Sequence, residues 1–324
     1  RIFVEGPTSA NKLQYGRNVL ARPSVRIKGS SSESFANVEA DWSMDADVEA
    51  LMVGAARSLR ADGKFVQDGD VRKLAAKLQL DGARPASGEQ RRLVAAIPNA
   101  GGTPLEPLLR QLRAALANLS KGSMAIAPIE FRSSGTQRSL FIGPPTIVAS
   151  SGARLLGNGR GMIIPFGKGQ ANFDGEFALS GGGFPVGTAR LALNKGIWTG
   201  TARFRPYRAG GAQLVLTPVD LRVSGSGFGM RTTVLLDGPL GGGRVTGLNI
   251  PISLRPTRDP LAGCLKSGFR AVEIGGLQLA AASLNVCLSG SEARLAPVRL
   301  AGRLGESPIQ LAANGARIGF SRGD

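Results

Sequence analysis

The sequence predicts a mainly β protein: an elongated, curled antiparallel β-sheet, groove-like in section (a β-taco), with a short helical interruption around residues 87–122. Three observations carry this expectation. From residue 123 onward, short segments alternate apolar and polar residues, with turn signals roughly every 8–12 residues. The turns, SGGG, RAGG, SGSG and PLGGG, are glycine-rich because tight reversals need positive φ. Roughly ten such strands follow one another without an intervening helix, which excludes a βαβ architecture and its parallel sheet. A meander of this kind closes into a barrel, folds into a sandwich or stays an open, curled sheet. The many glycines and alanines between the bulky residues favour the open sheet over a packed sandwich. The chain then divides into an N-terminal β segment (1–86), a helical insertion (87–122) and a glycine-rich repetitive β segment (123–324) continuous with the first.

Within residues 1–86, SVRIKG, SFANVEADW, GKFVQDG and VRKLAAKLQLDGA all fit strands. DADVEALMVGAARSLRADG fits two periods, since Val48, Leu51, Ala55 and Leu59 suit a helix as well as a strand. It is assigned to strand because its neighbours are strands.

The helical insertion has one strong element, TPLEPLLRQLRAALANLSKG. Thr103 is placed at the N-cap, Pro104 at the first helical position and Glu106 at the third, a capping box with proline where its missing N–H costs nothing. Leu105, Leu108, Leu109, Leu112, Leu116 and Leu119 form one stripe, with Arg110, Gln111, Arg113 and Asn118 away from it. Gly122 closes the helix. A weaker helix, SGEQRRLVAAI, is capped by Ser87 with Gln90 three residues on. The leucine stripe either covers one end of the sheet or lies over an apolar trough and touches what the trough holds.

After the helix the alternation is regular. In QANFDGEFALS, Phe173, Gly175, Phe177 and Leu179 share one parity, and Asn172, Asp174 and Glu176 take the other. ARLALN sets Leu191 and Leu193 against Arg190 and Asn194. IWTGTARFRPY sets Trp198, Ala202 and Phe204 against Thr199, Thr201, Arg203 and Arg205. VDLRVSGSG opposes Val219, Leu221 and Val223 to Asp220, Arg222 and Ser224, and NIPISLRP repeats the theme with Ile250, Ile252 and Leu254.

The only two cysteines, Cys264 and Cys287, bracket FRAVEIGG and LQLAAASLNV, which read as two strands turning at Gly275-Gly276. If these strands pair about that turn, the cysteines meet at its open end, where a disulfide is geometrically reasonable. It would stabilise by about 3 kcal/mol in the chain-entropy model and would imply an oxidising compartment. Two buried free thiols are the other reading.

Several chemistries are excluded or unsupported. With His 0, the chain cannot build a Ser-His-Asp or Cys-His centre, and common zinc sites lose their usual nitrogen ligand. GNGRG (157–161) and GSGFG (225–229) lack the following helix and Gly-Lys-Ser/Thr ending of a phosphate loop, and read as turns. Asp174, Glu176 and Asp220 sit on wet strand faces, and no carboxylate pair stands out. No enzymatic activity, cofactor or metal is expected. A net charge of +17 suggests an anionic partner, but the basic residues are spread along the chain with no run longer than Arg91-Arg92, and aromatic content is 5%. Nucleic acid is therefore not expected, which leaves anionic membrane surfaces or plain solvated charge. No stretch approaches the ~20 apolar residues of a membrane span. The longest, Leu277 to Val286, is interrupted by Gln278, Ser283 and Asn285. Starting at Arg1 without an initiator Met, the chain reads as a piece of a longer protein.

The block RPTRDPLAGCLKSGFRAVEIGGLQLAAASLNVCL resembles the cysteine-bracketed segment of the YdbH-like proteins, relatives of the AsmA and TamB families of Gram-negative bacteria. GTPLEPLLRQLRAALANLSKGS is similar to their short helical interruption, and the glycine-rich strand series to their repeats. The resemblance covers residues 45 to 320. It implies a long curled sheet, held in the inner membrane by an anchor this chain lacks, reaching across the periplasm and conducting phospholipids to the outer membrane along an apolar groove. Envelope proteins of the inner and outer membranes would be partners at either end. On that reading Phe173, Phe177, Leu191, Leu193, Trp198, Phe204, Leu214 and Leu216 are candidates for the groove lining. Arg203, Arg205 and Arg208 are candidates for rim contacts with headgroup phosphate. The alternative is a structural or adhesive β-repeat module of the cell envelope, whose apolar face is packed core.

Overall fold

A computed structural model describes residues 1–51, 54–167, 169–225, 227–254, 263–289 and 292–319. The protein is mainly β, with 70% of residues in strands and 8% in helix, and its strands pair antiparallel. Contacts group the chain into two compact units. The first comprises Arg1–Ala96, Ala114–Phe184 and Arg190–Gly196; the second comprises Ile97–Arg113, Pro185–Ala189 and Ile197–Asp324. Residues 123–184 thus group with the N-terminal strands, across the expected boundary at residue 122.

The strands of the first unit are β1 (Ile2–Ser9), β2 (Lys12–Tyr15), β3 (Asn18–Ser31), β4 (Asn37–Ala50), β5 (Gly54–Ala55), β6 (Ser58–Asp68), β7 (Val71–Pro85), β8 (Ser123–Ser134), β9 (Gln137–Ile142), β10 (Thr146–Ala149), β11 (Arg154–Phe166) and β12 (Asn172–Ser180). Their order is a meander. β1 and β2 both pair with β3, and β4, β6, β7 and β8 follow. β9 and β10 then lie end to end along β8, with β11 and β12 beyond. The segment that fitted two periods is strand, contributing to β4, β5 and β6; Met52 and Val53 of it lie outside the described residues.

Register places apolar residues opposite one another in transverse rows. Val25, Met44, Ala61, Leu78 and Ala127 form one row across β3, β4, β6, β7 and β8. Ile27, Trp42, Gly63, Ala76, Ile129 and Ile142 form the next. Because successive side chains take opposite faces, the residues between them face the other way. Those carry the charges: Lys28 pairs with Glu5 at 3.3 Å, Arg60 with Asp45 at 2.9 Å and Lys73 with Glu130 at 3.0 Å. Lys64–Glu39 and Arg22–Asp47 add to the series. One face of this sheet is therefore apolar and the other is laced with cross-strand ion pairs. At Gly63 the absence of a side chain is required, since a Cβ there would meet the Ala75 carbonyl and lie 2.8 Å from Cε2 of Trp42.

Bulges bend the long strands. Register shifts fall between Ala21 and Ser24 in β3, between Leu80 and Ala83 in β7, and between Gly159 and Gly161 in β11. Each inserts an unpaired residue, which increases local twist and curls the sheet. Pro144 and Pro145 separate β9 from β10, as expected of residues without an N–H for the ladder.

Helix α1 (Ser87–Ala95) and helix α2 (Glu106–Asn118) interrupt the strands, α2 continuing into a 3-10 turn over Leu119–Lys121. Gly122, at φ 94°, closes it as expected. The starts differ from expectation. Ala86 rather than Ser87 holds the N-cap of α1, without a side-chain hydrogen bond. Gln90 instead reaches the carbonyls of Leu116 and Ala117, both at 3.0 Å. Regular helix begins at Glu106, because Thr103 spends its hydroxyl on the Ala100 carbonyl at 2.6 Å. The Glu106 carboxylate accepts from the Gly102 N–H at 3.0 Å, so the loop before the helix is held by a different bond from the one a capping box supplies.

The remaining strands are β13 (Gly187–Asn194), β14 (Ile197–Phe204), β15 (Tyr207–Ala209), β16 (Ala212–Leu216), β17 (Val219–Ser224), β18 (Gly227–Leu240), β19 (Gly243–Leu254), β20 (Gly263–Ile274), β21 (Leu277–Ser289), β22 (Glu292–Leu295), β23 (Val298–Leu304), β24 (Ser307–Ala313) and β25 (Ala316–Gly319). In the second unit β14 and β15 lie along β17 and β16, which both pair with β18. β19, β20 and β21 follow, then β22 with β25 and β23 with β24. Pro206, Pro218 and Pro297 sit at the breaks between in-line strands. β20 and β21 turn at Gly275 and Gly276, whose φ values of 55° and 81° favour glycine and suit a tight two-residue hairpin. At its open end Cys264 stands opposite Cys287 and the two are disulfide-bonded.

Candidate functional site

Two apolar surfaces stand out, one in each unit. In the first unit Leu59, Leu80, Ala125, Ile147, Leu155 and Leu179 form a single row across β6, β7, β8, β10, β11 and β12. Five of these six residues line an open cleft of about 510 Å³, together with Leu51, Leu119 and Phe184 among others. Residues of five successive sheet neighbours can surround one cleft only where the sheet curves about it. The size falls within the ~300–1,000 Å³ of small-molecule sites, and the walls are almost wholly apolar. Arg84 and Arg154 are the charged residues of the lining, and no carboxylate belongs to it.

The apolar face of the second unit is partly occupied. Leu108 of α2, 2% exposed, packs with Tyr207, Ala212 and Leu236, and Leu105, Leu214, Val234 and Leu248 close around them. Tyr207, Leu214, Leu236 and Leu248 stand opposite one another across β15, β16, β18 and β19, so the helix sits on a row of the sheet. Burial pushes the Tyr207 phenol up, and a hydrogen bond with Gln111 offsets part of that. Pro104 and Pro107, both buried, approach β18 and Gly210 closely: a Cβ at Gly238 would lie 3.2 Å from Pro104, and one at Gly210 would lie 2.7 Å from Pro107.

The expected groove residues are distributed between these settings. Phe173 and Phe177 are half-buried on β12, their rings stacked with centroids 6.0 Å apart and 9° between planes, above Gly175. Leu191 and Leu193 are half-buried on β13. Trp198 is half-buried opposite Val223, and Phe204 lies over Gly187. Leu216 stands opposite Val234 and is half-buried. Leu214 belongs to the core that α2 closes rather than to an open trough, because Leu105 and Leu108 cover its row. Of the leucine stripe, Leu105 and Leu108 seal that core, Leu119 lines the cleft of the first unit, and Leu109, Leu112 and Leu116 are half-buried. Arg203, Arg205 and Arg208 are exposed, and Arg208 donates to Gln213 at 2.6 Å.

The row from Leu59 to Leu179 was not singled out as a row from sequence. Its signal was present in VRKLAAKLQLDGA, where Leu74, Ala76, Leu78 and Leu80 alternate with Lys73, Lys77 and Gln79. Electrostatics on the opposite face are structural. Burial pushes the Glu130 carboxyl up, but hydrogen bonds and charge from Lys73 and Arg132 outweigh it and hold the group below its ordinary range. Among the described residues no cluster of His, Cys, Asp or Glu could hold a metal ion, and no helix is long and apolar enough to cross a membrane. No protein-family model, curated protein or solved structure matches the chain.

Proposed function

We propose that this chain is a segment of a YdbH-like, periplasm-spanning protein that conducts phospholipids between the inner and outer membranes along an apolar groove. It would do so without catalysis or cofactor, with envelope proteins as partners at its ends and with no role for nucleic acid. The observation that carries the reading is the sheet face of the first unit, which is apolar row after row and curls around an open cleft. Acyl chains on such a face gain ~0.8 kcal/mol per buried CH₂, while headgroups stay in water at the rim. Each chain is held by many weak, interchangeable contacts, which suits passage better than tight capture. The disulfide supports placement in an oxidising compartment.

One observation favours the alternative of a structural or adhesive envelope module: the second unit's apolar row is packed under Leu108. Lipid capture separates the two. The protein, purified from bacterial envelopes, is expected to carry phospholipid detectable by mass spectrometry. Photo-crosslinking residues at Leu80, Leu191 and Phe204 are expected to form lipid adducts, whereas one at Leu156, exposed and of opposite parity to Leu155, should not. Absence of phospholipid and of adducts at all three positions would overturn the conduit reading.

A further inference from the structure

The apolar face of the first unit ends in a basic row. Val38, Gln67, Arg72, Ser133, Arg138 and Phe166 stand opposite one another across β4, β6, β7, β8, β9 and β11, next to the turns at residues 69–70 and 135–136. Arg72 has the parity of Leu74, Ala76, Leu78 and Leu80, and Arg138 that of Leu140 and Ile142, so both belong to the apolar face. The ring of Phe166, beside Arg138, meets that of Phe131 edge-on with centroids 6.0 Å apart, which places the two on one side of the sheet independently of parity. In the rows of Leu74, Ala76, Leu78 and Leu80, followed from β3 to β11, no residue is charged. Arg72 and Arg138 are thus the charges that this stretch of the face carries, and no acid shares it with them. Both are exposed, and neither forms an ion pair or a side-chain hydrogen bond among the described residues, although Asp68 and Asp70 are close to Arg72 in sequence. Arg132, by contrast, belongs to the opposite face of β8 and is held by Glu130.

We propose that Arg72 and Arg138 hold the phosphate of one anionic phospholipid whose acyl chains lie along the strands, over Leu74, Phe131 and Leu140. The two arginines flank β8 with about 10 Å between their backbones, two strand spacings, and their planar forks converge from both sides on the acceptor oxygens of a phosphate diester. From Arg72 to Leu80 the uncharged strip runs about 27 Å along β7, longer than the roughly 15 Å that acyl chains span in one leaflet, half of a ~30 Å hydrocarbon core. The chains therefore fit lengthwise with the head at the arginines. The inference deepens the conduit reading by naming where the headgroup sits and which way the chains point, and it rests on that reading for why the face meets lipid. A neutral glyceride leaves both cations unmatched, so the row selects for a phosphate head.

The test is equilibrium binding of the purified chain to dioctanoyl-phosphatidylglycerol, dioctanoylglycerol and glycerol 3-phosphate, the lipids below their aggregation concentrations. The phospholipid is expected to bind at one site, at least about tenfold more tightly than the neutral glyceride, which lacks the hydrogen bonds to charged groups. Dihexanoyl-phosphatidylglycerol, four methylenes shorter, should bind at least about tenfold more weakly than the dioctanoyl lipid. R72Q and R138Q should each weaken phosphatidylglycerol binding about tenfold and leave dioctanoylglycerol binding unchanged, whereas R132Q, on the opposite face, should leave both unchanged. A photo-crosslinking residue at Leu140 should form adducts with phosphatidylglycerol, and one at Ser139, of opposite parity, should not. Glycerol 3-phosphate binding as tightly as the lipid would show an anion site without a chain bed and overturn the proposal. Equal binding of dioctanoylglycerol, an unchanged affinity in either R72Q or R138Q, an equal loss in R132Q, or adducts at Ser139 alone would do the same. If this site fails while phospholipid still crosslinks at Leu191 and Phe204, the conduit reading stands without it. If phosphatidylglycerol binds as described but protein from bacterial envelopes carries no phospholipid and forms no adducts at Leu80, Leu191 or Phe204, the site stands and the conduit reading falls.

Discussion

Leu108 offers the sharpest test of how the helical insertion is attached. Truncation to Ala removes most of a leucine side chain that is 2% exposed and touches Tyr207, Ala212 and Leu236. The buried Pro104 and Pro107 flank it and restrict collapse of the resulting cavity. Leu→Ala changes in such settings cost about 3–4 kcal/mol. With a urea slope of about 2 kcal/mol/M, the unfolding midpoint of the second unit should fall by roughly 1.5–2 M. Trp198 fluorescence in a Trp42→Phe background reports on that unit, since Trp198 lies in it and Trp42 does not. Leu304→Ala is the control: Leu304 is 55% exposed on β23 of the same unit, so its change should stay within about 0.5 kcal/mol. Leu236→Ala should resemble Leu108→Ala, and the double variant should fall short of the sum because the two residues share one cluster. If Leu108→Ala unfolds within roughly 0.3 M of Leu304→Ala on the same urea scale, the helix does not seal a core and the reasoning is wrong.

Three further outcomes are expected. Gly63→Val should destabilise the first unit by about 1–3 kcal/mol, seen as a lower urea midpoint by Trp42 fluorescence, because the new side chain meets the Ala75 carbonyl and the Trp42 ring. Native protein should show no alkylation of Cys264 or Cys287 until a reductant is added, and reduction should cost about 3 kcal/mol of stability by urea titration. Glu130 is held below the ordinary carboxylate value of about 4.3, so its contribution is present above that pH and is lost as pH falls through the folded-state value. Glu130→Gln should therefore flatten the decline of Tm between pH 5 and pH 3, measured by circular dichroism at about one-unit steps.

Much of the strand pattern was legible because alternation is a local property. Trp198, Ala202 and Phe204 lie on the less exposed side of β14, with Thr199 and Arg203 outward, as their parity indicates. The cysteine hairpin was legible for the same reason: two short strands and a Gly-Gly turn determine which residues meet. Of the wider block that carries the family resemblance, residues 255–262 lie outside those the structure describes. Bond choices that several partners compete for were not legible. A threonine hydroxyl before a helix can accept from an orphan helical N–H or donate to a nearby carbonyl, and the sequence does not rank the two; Thr103 donates to the Ala100 carbonyl. The leucine stripe is one line in sequence, yet Leu108 and Leu119 end among different neighbours, because what covers each turn of a helix is decided by distant strands. The cleft was missed because its row draws single residues from six strands, each unremarkable in its own segment.

The bulge in β11 separates two properties that usually travel together in a sheet. Gly159 stands opposite Gly175 and Gly161 opposite Asp174, so Arg160 is surplus to the ladder. Deleting it would leave Met162 across from Phe173 and Leu155 across from Leu179, with every side chain on its present face and only the extra twist removed. Deleting a paired neighbour such as Leu156 would instead invert one flank of the strand. Arg160 is thus a spare count in the chain, through which curvature can be tuned while the two-sided pattern of the sheet stays in phase.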